Sequence, residues 1–312
     1  MKTFIVSSEA EGQRIDTWLA EQLQESRSQV QRLLTQSDLF VNDRPVSGHY
    51  LLKTDDQVRL EEKVAVAEEK KITQTDYEDL CTKIEIIKDT DDYIVINKPA
   101  GLVMHQAPGI TSLSVVDWLL EKYPFVRSVG EDPQRPGIVH RIDREVSGLV
   151  VMAKKQAMFD HLKEQFQKRT ISKHYVALVH GSGLPVEGSI NFRLERSSQG
   201  FKMAAKPMNQ TGKTALTLFT VAKEFHNYTL VNVEIKTGRT HQIRAHFSAY
   251  GHPVVGDDLY AGQKLRELNK KLHIGRVFLV ATELRFKDLE GEIQSFSLSL
   301  PADLKKVLET LP

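Results

Sequence analysis

Beyond residue 83 the chain is divided into short β-like runs with no regular alternation of strand and helix, and this restricts the fold more than any other feature. The runs are Tyr93–Asn97, Gly148–Ala153, Tyr175–His180, Ala215–Val221, Tyr228–Ile235 and Arg276–Phe286. In Tyr228–Ile235, Val231, Val233 and Ile235 alternate with Asn232 and Glu234, the two-residue period of a strand with one wet face. Three helical stretches interrupt the runs: Leu113–Tyr123, Phe159–Lys168 and His241–Tyr250, the last with Ile243, Phe247 and Tyr250 inward and Gly251 as its C-cap. Strands that outnumber helices without βαβ order predict an α+β domain on a largely antiparallel mixed sheet.

The first 62 residues read as a smaller α+β unit. Ile15, Trp18, Leu19 and Leu23 recur at helical spacing, and Ser26-x-x-Gln29 opens a second helix that turns Val30, Leu33 and Leu34 inward and Arg27 and Arg32 outward. Phe40–Val46 reads as strand, turn, strand, and Gln57–Leu60 as a closing strand. The stretch 61–80 is poor in large apolar residues and shows no clear period. The organisation expected is a small domain over 1–62, a linker over 63–82 and a large domain over 83–312.

Composition narrows the class. At 40% hydrophobic and 27% charged over 312 residues, the chain has enough apolar surface for a sizeable core and is not a disordered sequence. One cysteine, Cys81, excludes a disulfide scaffold and a site of several thiolates. Only Phe4-Ile5-Val6 precede the polar start, too short for a signal-peptide core, and no apolar run approaches the roughly 20 residues of a membrane span. A cytoplasmic, monomeric protein is expected. The net charge of +1 hides a split: residues 1–71 hold 10 Lys+Arg against 13 Asp+Glu, leaving 32 against 28 in the remainder.

The densest chemistry lies in Gly137–Lys154, where a charged knot, His140 to Glu145, runs through Ser147-Gly148 into an apolar strand. Asp143 sits between Arg141 and Arg144, cations that favour an ionised carboxylate and so a nucleophile. An ordinary ion-pair loop is the competing reading. In Lys236–His246, a helix capped by Thr240 would hold Arg244 in its first turn, where the helix dipole calls for an anion opposite, Asp143 or a phosphate. Tyr175 is half-buried packing unless it faces the same cleft as Asp143. His241, His246 and His252 match no zinc spacing, and Gly181–Gly188 reads as a turn rather than a phosphate loop.

At His140-Arg-Ile-Asp-Arg-Glu-Val-Ser-Gly-Leu149 the chain resembles the RluA family of pseudouridine synthases. Asn97–Val103, Lys173-x-Tyr175, Thr237–Arg244 and Gly251–Tyr260 resemble further motifs of that family in the same order, so the likeness covers about residues 83–300. The N-terminal unit resembles the S-four (alpha-L) RNA-binding module. Val146 and Val280 stand where the family usually has Thr and His, and Gln106 where Pro is common.

The resemblance implies a pseudouridine synthase fold and a cofactor-free, metal-free isomerase that breaks the uridine N–C1′ bond, turns the base and rejoins it through carbon 5. It makes Asp143 the catalytic aspartate, Tyr175 the active-site tyrosine that holds a flipped base, and Arg244 the arginine paired with the aspartate. Arg141, Arg239 and His241 are expected at the RNA beside the site, with Arg27 and Arg32 on phosphates in the small domain. The partner implied is structured RNA, ribosomal before transfer RNA. Two alternatives are an RNA-binding or ribosome-assembly protein with a vestigial site, and a glycosidic hydrolase, which would need a second carboxylate about 5–10 Å from the first.

Overall fold

The computed structural model describes residues 2–23, 30, 37–48, 50–62, 74–106, 113–197 and 202–312. The chain separates into two compact units, Met1–Lys71 and Ile72–Pro312.

In the first unit, β1 (Lys2–Ile5), β2 (Ser37–Val41), β3 (Arg44–Pro45) and β4 (Gln57–Glu62) form an antiparallel sheet of order β1-β4-β2-β3, and α1 (Ile15–Leu23) packs on it. The stripe on α1 is buried as its spacing predicts: Ile15, Trp18 and Leu19 meet Val41, Val58 and Leu60. Asn42 and Asp43 both have positive φ, the left-handed pair that a two-residue hairpin requires. β1 was not foreseen, because its alternation is only four residues long. The expected second helix, with Arg27 and Arg32, lies outside the described residues, apart from Val30, which is buried.

Part of the expected linker is structured: Gln74–Thr82 form α2, with Leu80 and Cys81 packed on the core of the large unit. That unit continues with β5 (Glu85–Asp89), β6 (Tyr93–Lys98), α3 (Val115–Lys122), β7 (Ser147–Ala153), α4 (Gln156–Lys168), β8 (Ser172–His180) and β9 (Glu187–Arg196). β10 (Met203–Lys206), β11 (Lys213–Phe225), β12 (Tyr228–Ile235), α5 (Gln242–Ala249), α6 (Gln263–Lys271), β13 (Leu279–Lys287), β14 (Ile293–Ser297) and α7 (Ala302–Thr310) complete it.

Ten strands make one sheet of order β10-β9-β11-β12-β8-β13-β7-β6-β5, with β14 on β13. Every pairing is antiparallel except β13 with β7, as the α+β reading requires. All seven residues of β7 are buried, which explains an unbroken apolar run where a one-faced strand would alternate. β12 alternates as predicted, with Val231, Val233 and Ile235 inward. Ser114 and Asp117 form a reciprocal capping box that starts α3 two residues inside the expected boundary. At the parallel junction β13 approaches β7 so closely that a Cβ on Gly148 would lie 2.2 Å from the Ala281 carbonyl oxygen, at a φ of +124°. Only glycine fits there, and the junction sets the mouth of the charged loop before β7. No helix among the described residues is long and apolar enough to cross a membrane.

Candidate active site

The charged loop is fastened at both ends. Upstream, the Gly137 carbonyl accepts from the Ala153 amide (2.9 Å), and His140 Nε2 accepts the Val151 amide (3.0 Å) while its ring stacks on Phe166. Burial, with the nearby Lys173 charge second, pushes His140 down to about 3, so the ring stays a neutral acceptor. Downstream, the end of β6 supplies Lys98, a fully buried side chain whose Nζ donates to the carbonyls of Pro99 (2.8 Å), Leu102 (2.7 Å) and Arg144 (3.1 Å). The Gly101 amide donates to the same Arg144 carbonyl (2.8 Å). Lys98 thus clasps one motif loop to the other, a role that only the fold exposes. Burial pushes its ammonium down to about 7, against the opposing charges of Glu145 and Asp143.

Between these anchors, Asp143 faces a pocket lined also by Arg141, Tyr175, Arg239, His241 and Arg244. The six side chains assigned to the large domain therefore share one cavity, although they come from three segments. Tyr175 is buried on β8, opposite Val233 of β12 and Ala281 of β13, so the centre of the sheet fixes it. Burial first, and the Asp143 charge second, raise its phenol well above the ordinary range and keep it protonated. The apolar wall includes Val146, whose amide closes a turn on the Asp143 carbonyl (3.1 Å), and Val280 is buried in β13 between Ser147 and Val176.

Arg244 departs from expectation in its partner. It stands in the first turn of α5 and its Nη1 lies 3.4 Å from Asp143 Oδ2, as the pairing predicted. Its tighter contacts are to Asp257: Nε to Oδ2 at 2.6 Å and Nη2 to Oδ1 at 2.9 Å, with both side chains buried. Asp257 lies in the Gly251–Tyr260 motif, and the sequence alone gives it no role. Burial pulls the guanidinium down, but the forked bond to Asp257 and the charges of Asp257 and Asp143 more than offset this and raise it. The fork leaves one edge of the planar guanidinium to meet Asp143, and Tyr260 lies against its face with 5.4 Å from Cζ to the ring centroid.

Arg144 donates to Glu145 at 2.7 Å and Arg141 is exposed at the pocket rim, so the cation in contact with Asp143 comes from α5. Thr240 is not the cap of that helix. His241 holds the position in a left-handed conformation (φ 50°), with Nδ1 3.2 Å from the Tyr260 hydroxyl. Burial pushes the His241 imidazole below its ordinary range, Asp143 opposing. The turn is knitted by Gln242, another residue missed from sequence. Its Oε1 accepts from Thr237 Oγ1 (2.7 Å) and the Arg239 amide (3.1 Å), and its Nε2 donates to the Leu216 carbonyl and Thr217 Oγ1 (both 3.0 Å).

Among the described residues, no three metal-ligating side chains converge. His246 is in the core, edge-on to Phe192, and His252 Nδ1 lies 2.9 Å from the His180 carbonyl oxygen.

A carboxylate beside a doubly held guanidinium and a neutral tyrosine, in a pocket with several cations at its rim, suits covalent or proton chemistry on a flat, electron-poor ring. Residues 92–249 match the family model described as RNA pseudouridylate synthase, and residues 13–58 match the S4 domain. The chain belongs to the RNA pseudouridylate synthase family. Its members are isomerases that turn uridine into pseudouridine in RNA. It is 36% identical to an uncharacterized RNA pseudouridine synthase of Aquifex aeolicus, over 97% of this chain and 95% of that one. It is 30% identical to the ribosomal large subunit pseudouridine synthase C of Haemophilus influenzae, over 100% of this chain and 95% of the relative. Among solved structures, human RNA pseudouridylate synthase domain containing 1 superposes with a TM-score of 0.57 at 25% identity, covering 71% of this chain and 85% of that one.

Proposed function

We propose that this isomerase acts on specific uridines of structured RNA, large-subunit ribosomal RNA before transfer RNA, without metal or cofactor, and that Asp143, Tyr175 and Arg244 carry the reaction. The observation that supports the assignment best is the convergence of Asp143, Tyr175 and Arg244 on one pocket, with Arg244 held by Asp257 so that its free edge meets Asp143. Relatives named for the large ribosomal subunit, aligned over nearly the whole chain, support the choice of RNA.

In the net reaction the N1–C1′ bond breaks, a C5–C1′ bond forms, C5 loses a proton and N1 gains one. Asp143 is the group placed to attack the nucleotide or to take a sugar proton, and Arg244 steadies the carboxylate in either case. Tyr175, held protonated, serves as a flat neighbour for the flipped base rather than as a phenolate base. Arg141, exposed beside Asp143 and with no ion-pair partner among the described residues, would fill the gap left in the RNA stack. Arg239 and His241 would border the nucleotide, and Arg27 and Arg32 of the small domain would hold phosphates. We place the enzyme in the cytoplasm as a monomer, with a small domain over 1–62 and a large domain that takes in α2 as well as 83–312.

The test is tritium release from ribosomal and transfer RNA transcripts labelled at carbon 5 of uridine. The wild type should release tritium from large-subunit RNA, and Asp143→Asn should lower the rate by about 10³-fold or more. Release from neither RNA, with binding intact, would favour a non-catalytic RNA-binding protein.

A further inference from the structure

Beside the Asp143 pocket runs a groove of about 540 Å³ that shares Arg141, Tyr175, Ile235, Gly238 and Arg239 with it. Its lining holds Arg135, Lys163, Arg169, Lys173 and Lys236 besides those two arginines, and no carboxylate. Several of these cations are answered at the rim: Arg135 by Asp132, Lys163 by Glu131 and Lys236 by Glu234.

Lys173 is different. It lies two residues before Tyr175 on β8, so both side chains leave the same face of the strand. His174, registered against Glu234 and Glu283, is turned to the other face. The Lys173 ammonium lies over the Phe166 ring of α4, with Nζ 5.3 Å from the ring centroid, and Nζ lies 3.8 Å from where a Cβ on Gly238 would stand. Among the described residues, Lys173 makes no hydrogen bond and no ion pair. A half-buried ammonium in a carboxylate-free groove is an anion site without its anion.

We propose that Lys173 and the neighbouring Gly238–Arg239 turn form a subsite for one RNA backbone phosphate next to the nucleotide whose base enters the Asp143 pocket. The assignment rests on the isomerase reading above and deepens it. Gly238 carries no side chain to block approach, Arg239 borders both cavities, and Arg169 at the C-cap of α4 widens the positive field along the groove. A chain whose base is beside Tyr175 must pass its backbone along the boundary the two cavities share.

Burial pushes the Lys173 ammonium down to about 8, which makes the subsite readable by pH. The groups that face it are His140 and Arg141 from the loop before β7, Lys163 and Arg169 from α4, and Tyr175 on its own strand. Lys236 and Arg239 follow β12, and His105 and Arg135 close the far side. His140 is held neutral, His105 is pushed below its ordinary range by burial and Tyr175 is raised, so none of these three changes charge as Lys173 does. A lysine whose folded value is lowered is charged below about pH 8 and neutral above it, so phosphate binding is present below that pH and weakens as pH rises through it.

The experiment measures KM and kcat by tritium release from a large-subunit ribosomal RNA transcript, for wild type, Lys173→Met and Lys173→Arg, against pH 6.5–9.5 and salt. Lys173→Met keeps an apolar stem against Phe166, and should raise KM about tenfold at pH 7 and flatten the salt dependence by about one phosphate contact. Lys173→Arg should keep the wild-type KM at pH 7 and abolish its rise above pH 8. Lys98, also lowered by burial, is unchanged in both variants, so its contribution cancels. Wild-type turnover with KM, salt slope and pH profile unaltered by Lys173→Met would overturn the subsite, as would a loss of melting temperature without change in KM. No tritium release by the wild type itself would instead refute the isomerase reading.

Discussion

Two adjoining parts of the large unit treat charge in opposite ways. In the Asp143 pocket the cation is buried and over-answered: one guanidinium, Arg244, meets two carboxylates, Asp257 in a fork and Asp143 at 3.4 Å. In the groove beside it the cations outnumber the anions, and Lys173 meets none among the described residues. The difference shows what each part is built to receive. A buried guanidinium with its charge already matched holds a geometry in place at low dielectric, where reorganisation would be costly. A groove with unmatched cations waits for a polyanion.

The contrast can be broken most severely at Asp257. Asp257→Asn replaces a forked carboxylate with an amide that accepts one hydrogen bond from Arg244 and presents an N–H to the rest. Breaking a buried pair of this kind costs about 3 kcal/mol, and the freed guanidinium should swing fully onto Asp143. A fall of about 10²-fold in kcat with KM little changed is expected from single-turnover tritium release. A lower melting temperature with kcat intact would make Asp257 a support of the fold alone.

Lys98 comes next. Lys98→Met leaves the carbonyls of Pro99 and Leu102 without this donor and removes the clasp on Arg144, at a cost of about 2–4 kcal/mol in denaturant melts. Because the clasp holds the loop that carries Asp143, kcat should fall about tenfold or more even where the variant is fully folded. The smallest effect is expected at the rim, where Arg141 is exposed and has no ion-pair partner among the described residues. Arg141→Ala should slow turnover several-fold on folded RNA and less on a single strand, and equal losses on both would remove its role in the RNA stack.

Much of this was legible in the chain. The alternation in β12, the unbroken apolar run of β7 and the helical stripes of α1, α4 and α5 were read directly, because burial of one face imposes a local period. Several elements escaped: β1, β5, β10 and β14 span four or five residues each, α2 lies in a stretch with too few apolar residues to show a period, and the longer β9, α6 and α7 were missed as well. Within the site, Asp143, Tyr175 and Arg244 were named and the pairing of Arg244 with Asp143 was expected, but not the fork to Asp257 that holds the guanidinium. A motif shows which residues are present, not which of them meet.

The sequence by itself determined the candidate residues for chemistry and most of the longer strands and helices around them, since residue type and local period are properties of neighbouring positions. Only the tertiary structure decided that Asp257 holds Arg244, that Lys98 clasps two loops, that Gly148 lets β13 lie parallel against β7, and that Lys173 faces a groove without a counter-charge. These are relations between positions from 13 to more than 130 residues apart. No local pattern encodes them, because each depends on which sheet edge or helix end the packed core brings within a few ångströms.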